Sequence, residues 1–399
     1  MHIVLVNSEY PSETGQGQGG IATYTYTMAA AFESLGHDVH IFLRRGVSTD
    51  HIPRNCVPVF YDYEPPKMLT QRILRRFRSN PRFWEEGLAK GLRSKLLKLN
   101  THDKIDVVEI PEFGGAGYAC TPPLPFPVVI NFHMSSSMVD ELNGINPDTV
   151  RLAHYRFEEK AIKNGTAYRT PSNAVCKDAS KRFNIDMSGI SVIPNPVSTA
   201  PFDAIEKLHS GDVRFHVLFI GRLERRKGAE LLCNGIRDIL DIDDHIHITI
   251  AGETEMHDAD GYRNAIERVL DSQQRQRVWF LGSVDRSNLF ILYCRSSILL
   301  APSLFENAPY SILEAMSAML PIVASASGGI PEIITHEQNG LLFENGKAAS
   351  MVECVRKLYE QRELGIRLAE NAYNTIKVTC SPDIIAKRSI AFYESIQCR

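Results

Sequence analysis

The sequence lacks several features that would place the protein in a special class. Its eight cysteines are scattered and none forms a Cys-x-x-Cys pair, which disfavours a zinc or redox framework and fits a reducing compartment. No apolar run approaches the roughly 18 residues that a membrane span needs. Lysine and arginine number 44 against 47 for aspartate and glutamate, so the net charge of −3 offers no overall basic field for nucleic acid.

The length and composition predict a globular protein with two domains. A chain of 399 residues is too long for one ordinary core, and its apolar fraction of 44% and charged fraction of 23% are typical of globular proteins. Residues 1–7 are predicted to form a strand, without the basic stretch that opens a secretory signal. We therefore expect a cytoplasmic location.

Short apolar runs alternate with helical stretches along the chain, which is typical of parallel α/β sheets. Each half opens with a strand that runs into a glycine-containing loop, so we expect two similar domains. Strands are predicted at His2–Asn7, Asp38–Leu43, Val57–Phe60, Asp106–Glu109, Val128–Phe132, Ala167–Thr170, Ser191–Ile193, Phe215–Ile220, Ile246–Ala251, Val278–Phe280, Ile298–Ala301, Pro321–Ala324 and Gly340–Phe343. Helices are predicted at Gly20–Leu35, Phe83–Leu99, Val150–Asn164 and Pro382–Gln397.

A proline-rich segment marks the expected domain boundary. Pro194, Pro196 and Pro201 cannot propagate a helix or a central strand, and a polar stretch follows to Asp212. The predicted domains are residues 1–196 and 213–375, and a C-terminal segment of residues 376–399 contains the last helix.

Glu306 and Glu314 lie eight positions apart, directly after the apolar run Ile298–Ser303. The pattern predicts a buried strand, with Glu306 in a short loop and Glu314 inside the next helix. A helix N-terminus after a strand attracts phosphate, while two carboxylates there suit sugar hydroxyls. The stretch therefore predicts a ligand with a phosphate part and a sugar part, and a solvated helix face is the alternative.

A basic loop, Gly221–Gly228, follows the predicted strand Phe215–Ile220. Arg222 can bind phosphate oxygens through its planar fork, and Lys227 can bind them as a point charge. Charge runs are most often solvated loops, but this one lies at the carboxyl end of a parallel strand, where such sheets bind ligands. Its position favours a phosphate site.

A second glycine-rich loop, Gly15–Gly20, lies near the N-terminus. Its glycines match the spacing of the dinucleotide fingerprint, but the predicted first strand ends well before it, at Asn7. Two arginines rather than an acidic residue follow the second strand, which leaves NADP binding as an alternative. The preferred interpretation is that Gly19 and Gly20 open a helix and let the backbone approach a diphosphate or an acceptor, and a simple flexible loop is the other.

His133 follows another apolar run, in Asn131–Ser135. A lone histidine is more often structural than catalytic, but its place at the carboxyl end of a predicted strand keeps both roles open. Two Asp-x-Asp triplets, Asp241–Asp243 and Asp258–Asp260, have the form of a metal–diphosphate site. Each lies in a polar connector without a third ligand and is explained by turn chemistry, so we predict no metal site.

The segment Lys67–Arg82 is both basic and interleaved with apolar residues. Its cations are Lys67, Arg72, Arg75, Arg76, Arg78 and Arg82. A basic amphipathic segment can lie on an anionic membrane surface, which predicts a peripheral contact at the inner membrane face. A solvated helix with an inward apolar side is the alternative.

Taken in order, these motifs resemble the retaining GT-B glycosyltransferases of glycosyltransferase family four, also called glycosyl transferases group 1. The resemblance rests on Gly19-Gly20, His133, Gly221-Arg222, Lys227-Gly228, Glu306-x7-Glu314 and Ser327–Glu332, which span nearly the whole chain. Met319 and Pro309 depart from the pattern, because such sequences often carry glycine there. The first departure is expected to alter only a turn, and the second removes one backbone N–H near the donor.

The resemblance implies two Rossmann-like domains facing across a cleft. The first would hold the acceptor and the second the nucleotide-sugar donor, with the C-terminal helix returning to the first. Arg222 and Lys227 would bind the leaving diphosphate, and Glu306 the donor sugar. His133 would lie near the anomeric carbon or the 6-hydroxyl. The other implied donor-binding residues are Gly19, Gly20, Gly221, Asn307, Ala308, Pro309, Tyr310 and Glu314, the last on the ribose hydroxyls.

The activity implied is that of a retaining hexosyltransferase in polysaccharide biosynthesis. It would move a sugar from a nucleotide-diphosphate sugar to a hydroxyl of a polysaccharide or lipid-linked glycan by front-face attack. Fixed cations at the diphosphate would make a divalent metal unnecessary, so we expect no cofactor beyond the donor substrate. UDP-glucose or UDP-N-acetylglucosamine is the preferred donor, ahead of GDP-mannose. The alternatives are an NADP-dependent oxidoreductase and a non-catalytic sugar-nucleotide-binding subunit.

Overall fold

The structure is a computed structural model that describes residues 1–7, 19–45, 52–63, 81–203, 214–253 and 261–397, with the backbone alone described for 81–84. These residues form two compact units. Unit 1 comprises Met1–Glu141, Ile145–Pro196 and Pro382–Arg399, and unit 2 comprises Leu142–Gly144 and Val197–Ser381. Each unit contains one parallel sheet, so the predicted α/β class with two Rossmann-like domains is confirmed.

The sheet of unit 1 has seven parallel strands in the order β3-β2-β1-β4-β5-β6-β7. They are β1 (His2–Asn7), β2 (Asp38–Arg44), β3 (Val57–Tyr61), β4 (Val107–Pro111), β5 (Val128–Asn131), β6 (Ala167–Thr170) and β7 (Ile190–Val192). Every residue of the central strands β1 and β4 is buried, as expected for a parallel sheet covered on both faces.

The helices of unit 1 flank this sheet. They are Gly20–Ser34, Pro81–His102, Ser136–Leu142, Thr149–Ile162, Asn173–Phe183 and Pro382–Gln397, with 3₁₀ turns at Phe113–Cys120 and Met187–Gly189. Two of the helices begin at a side-chain cap, because Asp148 accepts a hydrogen bond from the Arg151 N–H and Ser172 accepts one from Val175. None of the described helices is both long and apolar enough to cross a membrane.

The C-terminal helix is held in unit 1 by a buried polar cluster. Arg169 donates to Glu109 at 3.1 Å and to Ser389 of the helix at 3.0 Å. Tyr393, one turn further along the helix, also donates to Glu109. All four side chains are buried, so each must find its partner inside the protein. This requirement ties the helix to strands β4 and β6.

Unit 2 has six parallel strands in the order β10-β9-β8-β11-β12-β13. They are β8 (Phe215–Ile220), β9 (Ile246–Ala251), β10 (Val278–Gly282), β11 (Ile298–Ala301), β12 (Ile322–Ser325) and β13 (Leu341–Phe343). Its helices are Ala200–Asp203, Ala229–Leu240, Tyr262–Val269, Ser272–Arg275, Arg286–Arg295, Tyr310–Ser317, Ile330–Ile333, Ala348–Glu360 and Arg362–Thr379, with a 3₁₀ turn at Arg225–Lys227.

The core of unit 2 lies on both faces of its sheet. Along β8, Val217 and Phe219 pack into one hydrophobic cluster, whereas Leu218 packs into a second cluster on the opposite face. Successive side chains of a strand point to opposite faces, so a strand buried on both sides must be apolar throughout. This explains why the strand appears in the sequence as a continuous apolar run.

Two turns of unit 2 require special backbone geometry. Gly228 has φ +81, and a Cβ there would lie 1.9 Å from the Pro302 carbonyl oxygen. Glycine is therefore needed for both the left-handed conformation and the close approach. Met319, where glycine was expected from the resemblance, has φ +52 in the turn before β12. The departure thus places a methionine side chain in the left-handed region of that turn.

We predict that Gly228→Ala destabilises the protein more than Gly346→Ala. Gly346 has a similar φ of +77, but a Cβ there would meet no atom within 4 Å. Left-handed geometry alone costs about 1–2 kcal/mol, whereas the contact with Pro302 adds roughly 1–3 kcal/mol of overpacking to Gly228→Ala. Denaturant unfolding of the two variants measures the difference, and equal free energies of unfolding would show that the backbone relaxes around the new methyl group.

Candidate functional site

Two loops of unit 2 leave adjacent strands at the same edge of the sheet. β8 is paired with β11, and their carboxyl ends lead into Gly221–Gly228 and Pro302–Pro309 respectively. β8 is also the point where the strand order reverses, since β9 lies on one side of it and β11 on the other. Parallel sheets bind ligands in the crevice at such a point.

The structure brings Lys227 and Glu306 together. The Lys227 Nζ lies 2.5 Å from Glu306 Oε1, and the two side chains are 20% and 8% exposed. Arg222 lies in the same loop as Lys227 but is half exposed, with its Nη2 3.3 Å from Glu224 Oε2. Lys227 therefore contacts the predicted sugar-binding carboxylate directly, and Arg222, the other predicted phosphate-binding cation, lies in the same loop.

Two residues to which the sequence analysis assigned no role complete this cluster. Arg226 is buried and donates to Glu224 Oε1 at 2.5 Å and to Glu306 Oε1 at 3.3 Å. Glu224 is buried as well and contacts both Arg222 and Arg226. The basic run signals cations in this loop, but no sequence pattern shows which of them faces inward.

The charges in the cluster depend on one another. Burial works against ionisation of Glu306, yet Lys227 and then Arg226 hold its pKa below the usual range. Burial lowers the pKa of Lys227, and the adjacent Glu306 opposes this effect. Each buried charge is thus compensated by a neighbour of opposite sign, as buried ion pairs require.

The segment Ser325–Glu332 packs against the Glu306 loop and donates hydrogen bonds to its backbone. The Gly329 N–H donates to the Glu306 carbonyl at 2.8 Å, and Ser327 donates to the Ser303 carbonyl at 2.8 Å. Gly328 has φ +53, and a Cβ there would lie 2.1 Å from the Glu306 carbonyl oxygen. The two glycines therefore allow close contact between the loops that follow β11 and β12.

Glu314 lies inside the helix Tyr310–Ser317, as predicted, and both of its carboxylate oxygens have partners. Arg286 donates to Oε1 at 3.3 Å, and Tyr293 donates to Oε2 at 3.0 Å. Burial raises the pKa of Glu314, while Arg286 and Tyr293 oppose the shift. Neither partner was identified from the sequence, because both lie more than 20 residues away on the preceding helix.

The remaining predicted donor-binding residues of unit 2 lie in the same loops. Gly221 follows β8 directly and has φ +146. Asn307, Ala308 and Pro309 are buried in the loop, and Pro309 caps the helix that begins at Tyr310. The Pro309 carbonyl accepts the N–H groups of Ile312 and Leu313, so the proline starts the helix without interrupting it.

His133 lies in unit 1, two residues after the end of β5. Its ring contacts the ring of Tyr24 edge-on, with 5.5 Å between the centroids. Burial lowers the pKa of His133 to about 4; the nearby Glu109 opposes this shift and Arg169 adds to it. The imidazole is therefore neutral near pH 7.

Glu112 holds the backbone of His133 and was missed by the sequence analysis. Its Oε1 accepts the His133 N–H at 2.8 Å, and the side chain is buried. Burial raises its pKa to about 8, against the opposing effect of the hydrogen bond from His133. A carboxylic acid that remains protonated near neutral pH is thus hydrogen-bonded to the backbone of the predicted catalytic histidine.

Gly19 and Gly20 open the helix Gly20–Ser34 of unit 1, as predicted. Gly19 is the N-cap residue and has an ordinary φ of −65. The Asn7 side chain at the end of β1 donates to Thr25 of this helix at 2.9 Å, which fixes the helix to the strand. Both glycines are exposed, and residues 8–18, which include Gly15 and Gly17, lie outside the described residues.

Ser136, His154 and Glu85 have the hydrogen-bond order of a nucleophile–base–acid triad. His154 lies 3.1 Å from the Ser136 hydroxyl through Nε2 and 2.6 Å from Glu85 through Nδ1. Glu158 also contacts His154, at 3.2 Å. Hydrogen bonds to Glu158 and Glu85 raise the pKa of His154 to about 10, so the ring is cationic and cannot accept the serine proton near neutral pH. The group is a partly buried ionic cluster.

One group of side chains in the described residues could hold a metal ion, namely His2, His40 and Asp103. His2 contacts Asp103 at 3.3 Å and His40 at 2.9 Å through its two different ring nitrogens. The group lies where β1 and β2 begin, whereas His133 follows the carboxyl end of β5 in the same sheet. It therefore has no part in the predicted site.

Of the residues predicted to touch a membrane, Lys67, Arg72, Arg75, Arg76 and Arg78 lie outside the described residues. Arg82 lies in the first turn of the helix Pro81–His102, of which only the backbone is described at that point. The membrane contact therefore stays a prediction.

Two family models match successive parts of the chain. The model described as Glycosyltransferase Family 4 matches residues 18–201, and the model described as Glycosyl transferases group 1 matches residues 203–375. An uncharacterized glycosyltransferase of Methanocaldococcus jannaschii is 27% identical to this chain, over 99% of this chain and 98% of its own length.

Solved structures share the fold over the full length. Sucrose-phosphate synthase of Thermosynechococcus elongatus superimposes with a TM-score of 0.77 at 20% identity, covering 100% of this chain and 99% of its own. Anabaena HepE in complex with UDP-glucose superimposes with a TM-score of 0.72 at 16% identity, covering 99% and 100%. The GT-B architecture implied by the motifs is thereby confirmed.

We predict that the stability of Glu112→Gln, compared with that of the wild type at the same pH, increases as pH rises from 5 to 8. The pKa of Glu112 rises on folding from its ordinary 4.5 to about 8, so the folded state binds more protons than the unfolded state between these values. The contribution of Glu112 therefore lowers the free energy of unfolding of the wild type across this range by on the order of a few kcal/mol. The glutamine of Glu112→Gln does not titrate, so the variant does not show this decrease.

Thermal unfolding at pH 5, 6, 7 and 8 measures this effect. Glu370→Gln, which changes an exposed glutamate on the helix Arg362–Thr379, is the control and should show no such trend. A constant difference in Tm between Glu112→Gln and the wild type at every pH would show that Glu112 is ionised in the folded protein.

Proposed function

This chain belongs to the GT-B glycosyltransferases of family four, and we propose that it moves a hexose from a nucleotide-diphosphate sugar to a glycan hydroxyl with retention of configuration. The observation that supports this proposal best is the contact of 2.5 Å between Lys227 and Glu306 at the carboxyl ends of β8 and β11. A cation and a carboxylate side by side suit the two parts of a sugar nucleotide, its diphosphate and its sugar hydroxyls.

The barrier to sugar transfer comes largely from negative charge that develops on the departing diphosphate. Arg222 and Lys227 both come from the loop after β8, whose backbone is fixed by the hydrogen bond from Leu304 to Arg226, and donors carried on a preorganised loop stabilise developing charge with little reorganisation. Arg222 is half exposed and therefore accessible to a ligand. We assign the leaving diphosphate to these two residues and propose that the reaction proceeds without a divalent metal or another cofactor.

The two glutamates have different environments, which supports different roles. Glu306 is held ionised by Lys227 and Arg226 and can accept hydrogen bonds from the hydroxyls of the donor sugar. Glu314 has Arg286 on one oxygen and Tyr293 on the other. Ribose hydroxyls would have to share or replace the longer of these contacts, that with Arg286. Glu314 then contributes mainly to donor binding and Glu306 mainly to turnover.

Retention of configuration requires either a carboxylate nucleophile or attack from the face of the leaving group. The carboxylate next to the predicted phosphate-binding cations, Glu306, is engaged by Lys227, Arg226 and Ser303, which makes it a poor nucleophile. We therefore favour front-face attack, in which a leaving phosphate oxygen takes the proton of the acceptor hydroxyl. The anomeric configuration of the product, measured by ¹H NMR, tests retention itself, and an inverted product would contradict it.

UDP-glucose or UDP-N-acetylglucosamine remains the preferred donor, ahead of GDP-mannose. The complex of Anabaena HepE with UDP-glucose supports a uridine donor on this fold. The proposed acceptor is a polysaccharide or a lipid-linked glycan, as the basic segment Lys67–Arg82 suggests. Family membership favours sugar transfer over the NADP-dependent alternative, and a subunit that binds sugar nucleotides without turnover is the outcome to distinguish by assay.

We predict that Lys227→Ala and Arg222→Ala each lower turnover by at least ~100-fold, because loss of one preorganised donor to a developing anion has this effect. The assay measures release of nucleoside diphosphate from the donor, with mixed polysaccharide and lipid-linked acceptors and EDTA present. The control is Arg237→Ala, which removes an exposed arginine from the helix Ala229–Leu240 and should leave turnover unchanged. Full activity of either site variant, or loss of wild-type activity with EDTA, would contradict the proposed mechanism.

We predict that UDP raises the melting temperature of the wild-type protein more than GDP or ADP does. A ligand that binds only the folded state stabilises it in proportion to the logarithm of its concentration over its dissociation constant. NADPH is included in the same thermal-shift series. A shift with NADPH and none with the three diphosphates would support the oxidoreductase alternative.

A further inference from the structure

Arg226 lies at the centre of the charged cluster in unit 2, and its side chain is only 7% exposed. Its Nη2 is 2.5 Å from Glu224 Oε1, and its Nη1 is 3.3 Å from Glu306 Oε1. The guanidinium therefore joins two buried carboxylates: Glu224 from its own loop after β8, and Glu306 from the loop after β11. A planar group with donors in a fixed fork suits such a bridge better than the flexible ammonium of lysine.

The backbone holds Arg226 in this position. The Leu304 N–H donates to the Arg226 carbonyl at 2.8 Å, which joins the loop after β8 to the loop after β11. The close approach of Gly228 to the Pro302 carbonyl joins the same two loops two residues further on. Arg226 is thus fixed by its backbone, by its burial and by Glu224.

Lys227 is held less firmly. Its side chain is more exposed than that of Arg226, at 20% against 7%, and among the described residues its ion pair is with Glu306. Glu306 Oε1 accepts from three donors, namely Lys227 at 2.5 Å, Ser303 at 3.1 Å and Arg226 at 3.3 Å. If Lys227 turns toward a diphosphate, Arg226 and Ser303 remain on the same oxygen.

The geometry points to Arg226 as a positioning residue: it is the permanent counter-ion of Glu306, and it releases Lys227 to bind the donor diphosphate. This inference rests on the proposed function, since it assumes that Lys227 binds the leaving group. A buried carboxylate without a cation is costly. Without Arg226, Glu306 would therefore retain Lys227, and the diphosphate would have to break that pair before it could bind.

The test measures UDP affinity by calorimetry for wild type, Arg226→Met, Lys227→Met and the double variant. We expect Arg226→Met to weaken UDP binding by at least ~10-fold, and the double variant to bind no more than about 3-fold more weakly than Lys227→Met alone. Arg226→Lys should restore most of the affinity. Arg225→Met changes the neighbouring arginine, which is half exposed and faces Glu230, and should bind UDP as the wild type does.

A pH series separates this role from a merely structural one. Arg226 lowers the pKa of Glu306, so its removal raises that pKa, and protonated Glu306 no longer holds Lys227. The UDP affinity of Arg226→Met, relative to wild type at the same pH, should therefore recover as pH falls from 7.5 to 5. A variant that is only misfolded would not recover. Should Arg226→Met not fold, Arg226→Gln keeps hydrogen-bonding capacity without the charge and allows the same comparison.

The possible outcomes distinguish this inference from the function on which it rests. Wild-type binding of UDP that depends on Lys227 supports the proposed function. If Arg226→Met then binds UDP as well as wild type, or if its effect adds fully to that of Lys227→Met, the counter-ion role is wrong while the function stands. If the wild type binds none of UDP, GDP and ADP, the proposed function and the counter-ion role of Arg226 are both wrong.

Discussion

The charge of Glu306 is the constraint on which the candidate site depends. A carboxylate whose side chain is only 8% exposed must be compensated by nearby cations, and Lys227 and Arg226 provide that compensation from the neighbouring loop. Those cations lie close only because β8 and β11 are paired and Gly228 permits the two loops to approach. The loop after β12 adds the second support through Gly328 and Gly329. The ion pairs of Glu306 with Lys227 and Arg226 are therefore already formed before a ligand binds.

Unit 1 uses the same principle with a different result. Its central strands carry Glu109 and Arg169, and this buried pair holds the C-terminal helix through Ser389 and Tyr393. The loop after β5 is held by Glu112, whose burial keeps its carboxyl protonated, so that no cation is needed. Glu109, like Glu306 in unit 2, is ionised and paired with a cation, whereas Glu112 stays neutral. The difference follows from whether a cation lies within reach.

Much of the fold could be predicted because parallel strands buried on both faces are continuous apolar runs. β1, β6, β8, β9 and β11 have the predicted limits, and the C-terminal helix begins and ends where expected. β4 and β12 each begin one residue later than predicted, and they end two residues and one residue later respectively, because hydrogen bonding to a neighbour and not the apolar pattern decides where a strand ends. The shorter helices Ser272–Arg275 and Ile330–Ile333 are too short for a periodic signal.

By itself the sequence determined the element order, the family and the loops that carry Arg222, Lys227, Glu306 and Glu314, because strands, glycines and charges leave local patterns. Only the tertiary structure decided how those charges are paired. Arg226 faces Glu306 across 80 residues of sequence, Arg286 faces Glu314 across 28, and Glu112 meets His133 across 21. Nothing local distinguishes Arg226 from Arg225 beside it. Burial makes the distinction, and burial is decided by what the rest of the chain packs against.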